Sequence, residues 1–293
     1  MRPPSGDSAR IDVRKTYKLF IGGAFPRSES GHTYVVEDAK GRFVANAAKA
    51  SRKDARDAVV AARKAFGGWA GRTPYNRGQI VYRVAEMLEG RRAQFADEVS
   101  RTEGITGRRA DDAVSATVDR LVWYAGWADK VAQVVGSNNP VAGPYFDFSV
   151  PEPTGVVAVI APRDSSLLGL VSVVAPAIVT GNTVVVLASQ QRPVPAVTLT
   201  EVLATSDLPG GVVNLLTGSA DDVAPWLGSH MDVNAIDLAG VDDPDLARDL
   251  EVAAADNLKR VLRPRDESWT DAPDLSRMVW ALETKTVWHP IGV

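Results

Sequence analysis

The sequence predicts an α/β protein whose second half is a doubly wound parallel sheet, preceded by helices and a small β-element. Three observations carry that prediction. Hydrophobic residues make up 45% of the chain and charged residues 24%, the balance of a globular protein with a buried core. From Gly155 onward the Val- and Ile-rich runs "VVAVIA", "NTVVVLAS", "VVNLL" and "VNAIDLAG" alternate with helical segments. None of these runs shows the polar alternation of a half-exposed strand, so each reads as a strand covered on both faces.

The elements follow in order. Residues 1–16 read as a flexible tail. "YKLFIGGAFPRSESGHTYVVED" is broken by Gly, Pro and Ser and suits a small hairpin or meander. Ser51 caps a first helix, supported by Asp54 three residues on, with Ala55, Val59, Ala62 and Phe66 on one face. A second helix is expected over 77–102 and a third over 111–135. "SNNPVAGPYFDFSVPEPTG" reads as a loop, a short strand near 144–152 and a turn. Strand "VVAVIA" then leads into helix "SSLLGLVSVVAPAIVTG", and "NTVVVLAS" into "PVPAVTLTEVLATS". The turn "DLPGG" precedes "VVNLL" and helix "ADDVAPWLGSH", and "VNAIDLAG" precedes a helix around 244–258. The last segment, 263–293, holds two tryptophans in the β-prone runs "MVWAL" and "KTVWHPIG".

Several function classes are excluded by composition. The net charge is −3 and no dense Lys/Arg cluster occurs, which disfavours nucleic acid and anionic membrane as partners. The polar start has no signal-peptide core, and the apolar runs are too short for a bilayer, so a cytoplasmic protein is expected. Cysteine is absent, which removes disulfides, thiolate metal sites and any cysteine nucleophile. His32, His230 and His289 lie far apart, and no metal site is expected.

Ligands of doubly wound sheets sit at the carboxyl ends of the strands. Three turns occupy such ends: Pro162-Arg163-Asp164-Ser165-Ser166, "TGSADD" at 217–222 and "AGVDD" at 239–243. Neither standard phosphate-binding glycine loop is present. Ser165 or Ser166 as a nucleophile would need a histidine, and only His230 suits on chain order.

Read together, "PTGVVAVIAP", "APAIVTGNTVVV", "DLPGGVVNLLTG" and "AAADNLKRV" resemble the aldehyde dehydrogenase superfamily. The resemblance is ordered across Gly155–Val261 and extends loosely back to "LFIGGAF". It implies a cofactor-binding domain over 17–262 and a strand extension that, with the C-terminal segment, builds oligomers. The departures are as informative. The family's Pro-Trp-Asn, whose Asn supports the oxyanion, is Pro162-Arg163-Asp164 here, and a carboxylate has no hydrogen to donate. The family's ribose-gripping Lys-Pro-Ser-Glu is Leu187-Ala188-Ser189-Gln190. Its Phe-Thr-Gly-Ser, whose Ser meets the pyrophosphate, is Leu238-Ala239-Gly240-Val241, followed by Asp242 and Asp243. The family's general-base motif should follow Leu262, but "RPRDESWTDAPDLSRM" stands there, so the catalytic domain is expected to be missing.

These departures predict no catalytic residue, with Asp164 beside Arg163 as a degenerate oxyanion position. Pro162, Leu187, Ser189, Gln190, Gly218, Gly240 and Val241 mark a vestigial cofactor site, and no cofactor is predicted, NAD included. The expected function is that of a pseudoenzyme, a structural or regulatory subunit in a homodimer or a hetero-oligomer with a full-length aldehyde dehydrogenase. The ending also resembles the cysteine-free second half of tandem aldehyde dehydrogenases. A nucleotide- or small-ligand-binding protein, or residual NAD(P)-dependent activity within a complex, is the alternative.

Overall fold

A computed structural model describes residues 14–292. Most of the expected tail lies outside the described residues, and Thr16 already belongs to a strand. Strands β1 (Thr16–Tyr17), β2 (Thr33–Glu37) and β3 (Phe43–Ala48) form a small sheet in the order β1-β3-β2. Helices α1 (Arg52–Ala70), α2 (Pro74–Glu89), α3 (Arg92–Glu103), α4 (Arg108–Trp127) and α5 (Val131–Val135) follow, then strands β4 (Ser137–Asn139) and β5 (Tyr145–Pro153). The alternating part is β6 (Val156–Ile160), α6 (Leu168–Val179), β7 (Thr183–Leu187), α7 (Val194–Ala204), β8 (Val213–Leu216), α8 (Ala220–Ser229), β9 (Ala235–Asp237), α9 (Pro244–Ala255) and β10 (Arg260–Leu262). Helix α10 (Ser276–Trp280) and strand β11 (Leu282–Pro290) close the described chain.

The central sheet is parallel throughout, in the order β10-β9-β6-β7-β8. The chain enters at β6, steps outward to β7 and β8, and then returns to the other flank for β9 and β10. Its topological switch point therefore lies between β6 and β9. Period-2 geometry divides each strand between two cores. Val156, Ala158 and Ile160 of β6 join the side covered by α1 and α8, whereas Val157 and Val159 join the side covered by α6, with α2 and α4 behind it.

Local chemistry explains where the helices start and stop. The Ser51 hydroxyl accepts from the Asp54 N–H, and the Asp54 carboxylate accepts from the Ser51 N–H at 2.8 Å, a complete capping box for α1. The single helix expected over 77–102 is two helices, broken at Gly90, which is the poorest helix former after proline. The helix expected over 111–135 is likewise divided, between Trp127 and Val131. "MVWAL" is helical rather than extended at its start, because Arg277 and Met278 are both buried and a strand would point neighbouring side chains to opposite faces.

Residues 263–275 form a strap that leads from β10 to α10, and two buried arginines tie it down. Arg120 of α4 donates to the Trp269 and Asp271 carbonyls at 2.9 and 2.7 Å and to the Ser172 hydroxyl. Arg277 pairs with both Asp237 at the end of β9 and Glu267 of the strap. Burial penalises the Arg277 charge, but the two carboxylates outweigh it and hold its proton more tightly than usual. Beyond the strap, β11 runs antiparallel to β5 for its whole length, from Leu282 opposite Pro153 to Pro290 opposite Tyr145. With β4 on the other side of β5, these strands make a three-stranded arm.

Arg277→Met leaves the buried Asp237 with the Ala239 N–H but no cationic partner, so urea denaturation should show a loss of roughly 3–5 kcal/mol; a loss below about 1 kcal/mol would remove the pair from the forces that hold the strap. Glu98 provides a pH-dependent counterpart. Its Oε1 accepts from Gln94 and Thr198, while Oε2 is buried with no partner among the described residues. Burial raises its pKa, with those two hydrogen bonds opposing the shift. The folded chain thus holds this proton to higher pH than the unfolded chain, and stability falls as pH rises from about 4.3 through the folded value. Glu98→Gln should therefore gain about 1 kcal/mol at pH 8 and change little at pH 4, in melting curves at the two pH values.

Candidate functional site

A crevice opens where β6, β7, β8 and β9 end. The sequence-predicted positions Leu187, Ser189, Gln190, Gly218, Gly240 and Val241 all line it, as do Arg163, Asp221, Asp242 and Asp243. They come from four different strand-to-helix turns, and the parallel sheet brings them to one edge. Pro162 is buried beside Gly169 rather than in the lining. The walls combine strand-end backbone and the apolar side chains of Ile160, Leu187, Val241 and Leu246 with the polar groups of Arg163, Ser189, Gln190, Asp221 and Asp242. At the switch point the Gly240 N–H donates to the Ile160 carbonyl at 2.9 Å. A methyl group on Gly240 would overlap the Ala161 carbonyl oxygen, so only glycine allows the two strand ends to approach this closely. Gly218, at φ +144°, shapes the opposite wall from β8.

The turn after β6 is held from several sides. The Ser165 hydroxyl accepts from the Gly169 N–H, in the first turn of α6, at 2.8 Å. Ser166 donates from both its N–H and its hydroxyl to the Glu103 carboxylate, at 2.6 and 2.7 Å. Burial pushes the Glu103 pKa up, against the pull of those two bonds. The Arg163 carbonyl accepts from Ser189 and the Asp164 carbonyl from Arg192. The Asp164 side chain is exposed, and its carboxylate has no hydrogen-bond partner among the described residues. It offers no donor to a developing oxyanion.

Arg163 pairs with neither Asp164 nor Glu103. Its Nη1 donates to Asp242 Oδ2 at 2.7 Å, linking the β6 turn to the β9 turn. Asp242 stands out in the sequence as added negative charge, but its pairing with a residue so far away is invisible until the strands are placed. Asp243 is spent on capping α9, where it accepts from the Asp245 N–H at 2.9 Å. Glu103 is the residue the sequence reading missed, since nothing in its own segment marks it as a partner for Ser166.

The serine-nucleophile alternative fails on geometry. His230 lies between α8 and the start of β9 and accepts from the Asp232 N–H. Ser165 and Ser166 follow the opposite end of the parallel β6. A five-residue strand at ~3.3 Å per residue puts roughly 16 Å between those ends.

Residues 25–263 match the aldehyde dehydrogenase family. Among curated relatives, retinal dehydrogenase 2 of Gallus gallus is 33% identical over 257 residues, covering 86% of this chain and 48% of that protein. The chain thus spans about half the length of the curated relatives it matches. Among solved structures, an aldehyde dehydrogenase from Bacillus cereus in complex with NAD+ superposes with a TM-score of 0.77 at 27% identity, over 84% of this chain and 50% of that one. PnpE in complex with nicotinamide adenine dinucleotide gives 0.79 at 28% identity, with 84% of this chain and 50% of that one covered.

Those complexes correct the expectation that no cofactor is held. The physical reason lies in the walls of the crevice. Leu187 and Val241, expected from the resemblance to be lost polar contacts, are buried in the wall, 2% and 3% exposed, and leave the crevice open. The shape comes from Gly218, Gly240 and the strand ends. In sequence and in fold, the chain belongs to the aldehyde dehydrogenase family.

Proposed function

We propose that this chain is a non-catalytic, NAD-binding aldehyde dehydrogenase-like protein that serves as a structural or regulatory subunit. It pairs through the β4-β5-β11 arm with itself or with a full-length aldehyde dehydrogenase. The observation that carries this reading is an open crevice at the carboxyl ends of the parallel strands in a 293-residue sequence with no cysteine. Bound NAD would supply a hydride acceptor. This chain's own residues would only hold it: Leu187, Val241 and Leu246 as apolar wall, Ser189 and Gln190 as hydrogen-bonding groups, and Arg163 as the cation. No thiolate is available to attack an aldehyde, and Asp164 stands where an amide donor would be needed.

The arm supports the assembly half of the proposal. Phe146 and Val150 on one face, and Tyr145 and Trp288 on the other, are exposed. β11 has no strand beyond it among the described residues. A three-stranded ribbon with exposed aromatic side chains and an open edge is poorly covered by its own chain and suits pairing with another.

Calorimetric titration with NAD+, NADH formation with a panel of aldehydes, and light scattering after size exclusion test the reading together. The expected result is NAD+ binding, no NADH formation, and either a dimer or co-elution with a full-length aldehyde dehydrogenase. NADH formation by the chain alone, or a monomer at all micromolar concentrations that captures no such enzyme, defeats it.

A further inference from the structure

The geometry points to the Arg163–Asp242 ion pair as a latch across the crevice, opened when the diphosphate of a dinucleotide replaces the Asp242 carboxylate on Arg163. The inference rests on the dinucleotide reading of the crevice. Arg163 follows β6 and Asp242 follows β9, the two hydrogen-bonded strands that flank the switch point, and ligands of such sheets enter there. Both residues line the crevice, and their side chains meet at 2.7 Å.

Charge makes the exchange necessary. Arg163 is the one Arg or Lys lining the crevice among the described residues, while Asp221, Asp242 and Asp243 are its acids. A diphosphate that left the pair intact would face a wall of net negative charge. One that captured Arg163 would gain the only guanidinium available, in a contact that is bidentate with phosphate oxygens.

Magnitudes make the exchange feasible. The Arg163 and Asp242 side chains are 51% and 68% exposed. An exposed pair of this kind shifts an equilibrium by no more than about fivefold, so a diphosphate can displace the carboxylate. The Arg163 backbone is meanwhile fixed, because its carbonyl accepts from Ser189 and the next one accepts from Arg192. Only the side chain has to turn. While the latch is shut, the apparent affinity is lowered by the fraction of molecules in that state.

The test is calorimetric titration of the full chain with NAD+, ADP-ribose and adenosine at one ionic strength. The proteins are the unaltered chain, Asp242→Asn, Arg163→Gln and the double variant. Both side chains are exposed, so the variants should fold, and melting curves check that they do. The latch requires Asp242→Asn to tighten NAD+ and ADP-ribose about fivefold and to leave adenosine unchanged. Arg163→Gln should weaken both diphosphates, and adding Asp242→Asn to it should recover little. Equal tightening by Asp242→Asn with and without Arg163 would show general charge repulsion and overturn the latch, as would no change at all. If NAD+ and ADP-ribose bind none of the four proteins at millimolar concentration, the dinucleotide reading itself falls, and the latch with it.

Discussion

The site depends on one close contact between backbones. Where β9 ends beside β6, the Gly240 N–H reaches the Ile160 carbonyl, and there is no space for even a methyl group against Ala161. That contact lets the chain return across the sheet and lay β9 on the free flank of β6. With it, the turns after β6 and β9 come together at the switch point, and Arg163 meets Asp242. Without it the strand ends splay, and the crevice has no floor.

The alternation of strands and helices from Gly155 was legible because β6 and β7 are buried at every residue, and a buried parallel strand reads as an unbroken apolar run. The α1 cap was legible because both partners of the capping box lie within one turn. Helix breaks near Gly90 and Trp127 were not, since the apolar spacing continues across them. The crevice positions could be named from their turns, but the cofactor expectation drawn from them failed. It weighed Leu187 and Val241 as lost polar contacts, whereas the cavity is set by backbone and glycine. Arg163–Asp242 and Glu103–Ser166 were hidden for a different reason: each joins segments more than sixty residues apart, and no local pattern predicts such a pairing.

The C-terminal part of the described chain is tied in by buried polar groups as well as by the buried apolar Met278, Ala281 and Leu282. Asn182 accepts from the Gly155 N–H and donates to the Ala281 carbonyl, so one amide ties the start of β6 to the start of β11. Arg277 and Arg120 hold the strap from opposite sides. Buried ion pairs add little net stability against apolar substitutes, but they are costly to leave half-made. A segment held in this way has one register, and that register delivers β11 to β5 along its full length.

Shape and chemistry separate cleanly in this chain. Loss of an oxyanion donor alone costs an enzyme about 10²–10³ in rate, whereas loss of the nucleophile costs on the order of 10⁶. Under the non-catalytic reading proposed above, an Asn at position 164 would have no oxyanion to support, and the Asp there is exposed. The glycines at 218 and 240 answer to a different demand. Gly240 is required by the close approach of the Ala161 carbonyl at the switch point, and Gly218 by its positive φ after β8. The crevice therefore persists as a consequence of folding. The charge at its mouth is set by side chains rather than by backbone, and the exposed Arg163–Asp242 pair carries the cation of that mouth.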